Sequence, residues 1–140
     1  MRREEKIKLT GDALVKAIAT ACEGLIYISE TDSRVRPVVV DKADAATPED
    51  AVAYLERKQG VSFSERTANE FFEFLTKDRT WHDRSKKESV RHFRILKELL
   101  YANLAGLREF RVGKIRIVIY VIGRDVAGNI AGISTESVET

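Results

Sequence analysis

The side chains of this 140-residue chain that could do chemistry unaided are few and scattered. His82-Asp83 pairs two metal-binding donors and invites a metal-hydrolase reading, but such a site needs further ligands converging on it. The only other histidine, His92, falls one residue before apolar Phe93 on an amphipathic helix pattern. Cys22 is the sole cysteine, so neither a disulfide nor a thiolate cluster can form within the chain. On an apolar helix face it reads as a small core residue. Ser134 has Gly132 two residues before it but Glu136 two after, so the nucleophile-elbow pattern fails. Gly128-Asn129 is turn chemistry without a phosphate loop around it. Lys87, Arg91, Arg94 and Lys97 form a basic stripe at helical spacing. With Glu88 and Glu98 interspersed it reads as a solvated face, and a nucleic-acid face is the sharper alternative. No nucleophile–base pair or ligand set emerges. The expectation is a binding protein with no catalysis and no cofactor of its own.

The elements that must position these residues share one core. With 44% hydrophobic residues the chain is expected to fold, and a net charge of +2 argues against a strongly electrostatic nucleic-acid binder. Met1 to Thr10 is charged, unlike a signal peptide, and no apolar run is long enough to span a bilayer. A cytoplasmic protein away from membranes is expected. Residues 1–8 read as a mobile charged lead-in and 9–140 as one domain.

A helix pattern starts at Thr10, puts Leu14, Ile18, Ala21 and Cys22 on one face, and closes at Gly24. Leu25 to Ile28 reads as a strand ending in Ser29-Glu30, Thr31 to Arg34 as a polar turn. Val35 to Val40 reads as a strand that Pro37 assigns to an edge or bulge. Thr47-Pro48-Glu49-Asp50 opens a second helix ended by Gly60. Val61 and Phe63 fit a short strand. Thr67 with Glu70, and Ser85 with Glu88, make capping boxes for two more helices. The second carries Val90, Phe93, Leu96, Leu100 and Leu104, and Gly106 stops it. Leu107 to Val112 and Ile115 to Ile122 flank Gly113-Lys114, a two-residue type II′ hairpin. Ile130 to Val138 is a last strand running into Glu139-Thr140, which suggests that the terminal carboxylate is held in place. The fold class implied is α+β, with an antiparallel or mixed sheet packed on helices.

The segments Tyr120-Val121-Ile122-Gly123, Ala127-Gly128-Asn129, Ala131-Gly132-Ile133-Ser134-Thr135 and Val138-Glu139-Thr140 closely resemble the C-terminus of the nuclease A inhibitor family. Gly24-Leu25-Ile26-Tyr27-Ile28-Ser29-Glu30 is similar to the family's glycine, apolar strand, Ser-Glu signature. Between these ends the likeness thins to a helix pattern, Phe71-Phe72, Trp81 and the helix near Ser85. The resemblance implies a three-layer α/β/α sandwich similar to pathogenesis-related class 1 proteins. It implies inhibition of a sugar-non-specific, Mg²⁺-dependent endonuclease by a monomer in a 1:1 complex, without direct nucleic-acid contact. The implied partner-binding residues are Glu30, Thr80, Trp81, Glu139 and Thr140. Of these, Glu30 would reach the divalent metal of the partner, and Thr140 would approach the same centre through its hydroxyl or its carboxylate. Mg²⁺ would then bridge the complex. Thr80 stands where the family has an acid, and the loop onward reads His82-Asp83-Arg84-Ser85-Lys86-Lys87 rather than acidic. Either acid is concentrated around Glu30, Asp32, Glu136 and Glu139, or the same fold serves a different protein partner.

Overall fold

The structure is a computed structural model, and it describes residues 7–77 and 83–140. In chain order these form α1 (Gly11–Cys22), β1 (Ile26–Ile28), β2 (Asp32–Arg34), β3 (Arg36–Val40), α2 (Pro48–Glu56), β4 (Ser64–Thr67), α3 (Ala68–Leu75), α4 (Arg84–Asn103), β5 (Ala105–Val112), β6 (Arg116–Arg124) and β7 (Ile130–Val138). The fold is α+β. Five strands run antiparallel in the order β3-β7-β6-β5-β4, and β1 and β2 make a separate hairpin.

Alternation along β6, the central strand, explains how the helices are distributed. Ile117, Ile119 and Val121 join a core with Leu14 and Ile18 of α1, Phe71 and Phe72 of α3, and Phe93, Leu96 and Leu100 of α4. Tyr120 and Ile122 join a second core with Ala51 and Val52 of α2, Phe110 and Ile130. Successive side chains of a strand leave opposite faces, so β6 is apolar on both. Its sequence therefore reads as a continuous apolar run. Pro37 lies on β3, an edge strand, where a missing N–H costs the ladder least.

Several local signals act as read. Thr47 caps α2 by accepting from Asp50 N at 3.1 Å, with Pro48 in the first helical position. Thr67 caps α3 by accepting from Glu70 N at 3.1 Å. Others differ. Asp83, not Ser85, caps α4, accepting from Lys86 N at 2.9 Å, because a carboxylate meets both the free N–H groups and the positive end of the helix. Arg57, at φ 55°, closes α2 before Gly60 is reached. Thr31 to Arg34 is not simply a turn, since Asp32–Arg34 pairs with β1. Val61 and Phe63 do not form a strand. They pack on the α2-side core, with Phe63 edge-on to Phe110 at 5.1 Å, and the strand follows at Ser64.

The β5–β6 connection is longer than a two-residue hairpin. Val112 pairs with Val118, not with Ile115. The difference is an odd number of residues, which reverses the faces. Phe110 consequently sits opposite Tyr120 in the α2-side core, and Glu109 opposite Val121 on the other face.

Gly132 is fixed by close approach. A Cβ there would lie 1.9 Å from the Val121 carbonyl oxygen and 2.9 Å from Ile122 Cα, both backbone atoms of the neighbouring strand. Gly132→Ala is therefore expected to destabilise the fold by about 2 kcal/mol. A lower urea midpoint with an unchanged slope is the readout.

Candidate functional site

The Ser-Glu segment and the end of β7 form one corner. β3 pairs with β7 only as far as Arg36↔Ser134. Alternate N–H groups of an antiparallel strand point to the same side, so those of Glu136, Val138 and Thr140 continue past the end of β3. Side chains of the β1–β2 hairpin take all three. Ser33 Oγ accepts from Glu136 N at 3.2 Å, Ser29 Oγ from Val138 N at 2.9 Å, and Glu30 Oε2 from Thr140 N at 2.5 Å. Glu30 N donates back to Val138 O at 3.3 Å, and Thr135 Oγ1 donates to Arg34 O at 3.0 Å. The hairpin thus completes the edge of β7 with side-chain oxygens where backbone carbonyls would otherwise stand.

Glu30 and Thr140 are both solvent-exposed and adjacent. Besides the amide contact, the Thr140 hydroxyl donates to Glu30 Oε1 at 2.7 Å. A carboxylate offers about four acceptor positions, so two remain for a cation or for donors outside the chain. Oxygen donors of this kind suit a hard cation such as Mg²⁺.

The other expected site residues are placed differently. Glu139 lies next to Thr140, but its carboxylate is engaged within the fold. It accepts from the buried Ser137 hydroxyl at 2.6 Å and pairs with Arg111. The Ser137 hydrogen bond, reinforced by the Arg111 charge and opposed by partial burial, holds the Glu139 carboxyl below its ordinary range. Glu136 is cross-strand from Val118, on the face opposite Glu139, so the first of the two alternatives above, a gathering of all four acids, does not extend to Glu136 and Glu139 on one face. Glu30 and Asp32 remain as exposed acids of the hairpin. Thr80, Trp81 and His82 lie outside the described residues. Asp83 is a helix cap, and His92 is exposed on α4. Among the described residues no group of three or more His, Cys, Asp or Glu could hold a metal ion.

Cys22 is buried and its thiol is pushed up to about 12 by desolvation, which keeps it in the unreactive protonated form. Of the basic stripe, Arg94 Nε donates to Thr76 O at 3.0 Å, tying it to the end of α3. Sequence reasoning did not find the linking role of Ser29 and Ser33 or the pairing of Arg111 with Glu139. The only signal available was the i, i+4 spacing of two serines around a turn, which is too common to single out.

The geometry is that of an exposed carboxylate held by neighbouring donors at the corner of an antiparallel α+β domain. The chain belongs to the nuclease A inhibitor-like protein family, whose model matches residues 12–140. No curated protein matches it. Among the described residues no helix is long and apolar enough to cross a membrane.

Two outcomes are expected from this geometry. Ser29→Ala leaves Val138 N–H without its partner and should cost about 1 kcal/mol in chemical denaturation, whereas Glu30→Gln, at an exposed position, should change stability by less than about 0.5 kcal/mol. Because the Glu139 carboxyl is depressed in the fold, its contribution is present above its unfolded value, near pH 4.5, and is lost as pH falls through the folded value. The stability difference between the chain and Glu139→Gln should accordingly be present at pH 7 and vanish towards strong acid, as read from melting temperatures across pH.

Proposed function

We propose that the chain is a protein inhibitor of a Mg²⁺-dependent, sugar-non-specific nuclease, and that Glu30 ligates the partner's catalytic metal. The observation that carries the reading is the exposed Glu30 carboxylate clasped by the amide and hydroxyl of Thr140. Membership of a nuclease inhibitor-like family supplies the class of partner. A nuclease of this kind leaves coordination positions on its metal for phosphate oxygens and water. A carboxylate presented there supplies the same hard oxygen and negative charge, and offers no phosphodiester bond to cut. Thr140 orients it, as a second layer of hydrogen bonds orients any metal-bound carboxylate. Hydrogen-bonded to Glu30, the Thr140 hydroxyl still has its lone pairs to offer the same centre.

In this reading the inhibitor acts as a cytoplasmic monomer, 1:1, without catalysis or a metal of its own and without touching nucleic acid. Thr80 and Trp81 pack on the rim of the nuclease cleft. The helices associated with the two cores of the sheet fit a three-layer α/β/α sandwich of the pathogenesis-related class 1 kind. The basic residues following Trp81 favour a cleft whose rim is less positive than its centre, or a different protein partner altogether.

The test is a binding titration against a non-specific nuclease of the same organism, with Mg²⁺ and then with chelator. Stoichiometric inhibition should weaken on removing the metal. Glu30→Ala should weaken it by about 2 kcal/mol, some thirtyfold in Kd. Binding indifferent to both changes would move the contact to the Trp81 loop. No binding to an active nuclease would favour the other protein partner.

A further inference from the structure

Glu109 is a carboxylate without exposure, cross-strand from core residue Val121 on the side of the sheet that carries the larger apolar core. It is cross-strand from Arg66, which contacts it through two nitrogens, Nε at 3.0 Å and Nη2 at 3.1 Å. Arg111, two residues along the same face of β5, adds Nη1 at 2.9 Å. The Arg111 side chain is only 10% exposed, and its other terminal nitrogen, Nη2, pairs with Glu139. A guanidinium is planar with its donors in a fixed fork, so fixing one edge fixes the other. Arg111 is thus anchored from within and grips a residue beyond the last paired position of β7.

Such an array is a poor device for stability alone. Desolvating buried charges commonly offsets their attraction, and an apolar set of the same shape often serves as well. What the array provides is position. The backbone of Glu139 is already tied to β6 by its N–H to Ile115 O at 2.9 Å. With its carboxylate gripped as well, Glu139 cannot turn, and the next residue, Thr140, is delivered to Glu30.

We infer that Arg111, acting through Glu139, is a positioning residue for the Glu30–Thr140 clasp, and that it sets the affinity of the corner for its partner without touching that partner. The affinity half rests on the function proposed above; the positional half does not. Loss of the grip lowers the fraction of molecules with the clasp formed, and the apparent Kd rises by the inverse of that fraction.

The test uses the full chain with Glu139→Gln, at a half-exposed site, and Arg111→Met as a second variant that breaks the same link from the other end. Backbone ¹⁵N relaxation of Thr140 is the partner-free readout. The order parameter should be near the rigid-backbone value of about 0.85 in the chain itself and fall below about 0.6 in both variants, with β7 unchanged. Thr140 remaining ordered in a folded Glu139→Gln variant overturns the inference, whether or not Arg111→Met folds. With a bound nuclease, Glu139→Gln should raise Kd about tenfold in the chain and leave it nearly unchanged in a Glu30→Ala background, where the clasp has lost its acceptor and additive losses would again overturn the inference. If no nuclease binds the unaltered chain, the proposed function fails and the relaxation result alone decides the positioning role.

Discussion

The N–H groups on one side of β7 have to be satisfied, and β3 is too short to satisfy them all. Past Ser134 three such groups continue in step, at Glu136, Val138 and Thr140. Leaving backbone donors unpaired at a partly buried edge is costly, and an open edge also invites pairing with another chain. The β1–β2 hairpin resolves both problems with Ser33, Ser29 and Glu30. The same contacts that close the edge also place the candidate site: Glu30 stands where it does because it is the third oxygen in that series. Structure and proposed function therefore depend on a single row of hydrogen bonds.

The two cores make that row dependable. β6 and β7 are hydrogen-bonded along their full lengths, and β6 is buried on both faces. A strand with apolar side chains on both faces gains little from slipping its register, because each slip exposes or misplaces several of them. Gly132 tightens this further by letting the backbone of β7 lie against Val121 and Ile122 where any Cβ would collide. With β7 held rigidly, Val138 is a fixed reference for the hairpin, and the hairpin in turn fixes Glu30.

Charge is distributed so as to keep this corner distinct. Glu139, nearest in sequence to the proposed contact, is neutralised internally by Arg111. Glu136 is directed to the other face. Acid elsewhere is likewise paired, as where Arg108 joins Glu49 at 2.8 Å and Glu65 at 2.7 Å. A net charge of +2 is thus compatible with the local anionic contact proposed above, which would present one oriented carboxylate rather than the molecule's overall charge.

The sequence by itself determined the helices, their caps at Thr47 and Thr67, the apolar run of β6, the restriction of Pro37 to an edge or a bulge, and the family. These are written in local periodicity and in residue types with narrow backbone preferences, so a window of ten or so residues carries them. Tertiary structure decided the rest. Whether Asp83 or Ser85 caps α4 depended on which side chain reached the free N–H groups. Whether Phe110 faced Ile117 or Tyr120 depended on the length of the β5–β6 connection, and an odd slip reverses the faces without altering either strand's pattern. The meeting of Glu30 with Thr140 spans nearly the whole chain, and the grip of Arg111 on Glu139 crosses from one strand to another. No periodicity encodes such pairs; they follow from sheet order, which is settled only when both cores pack.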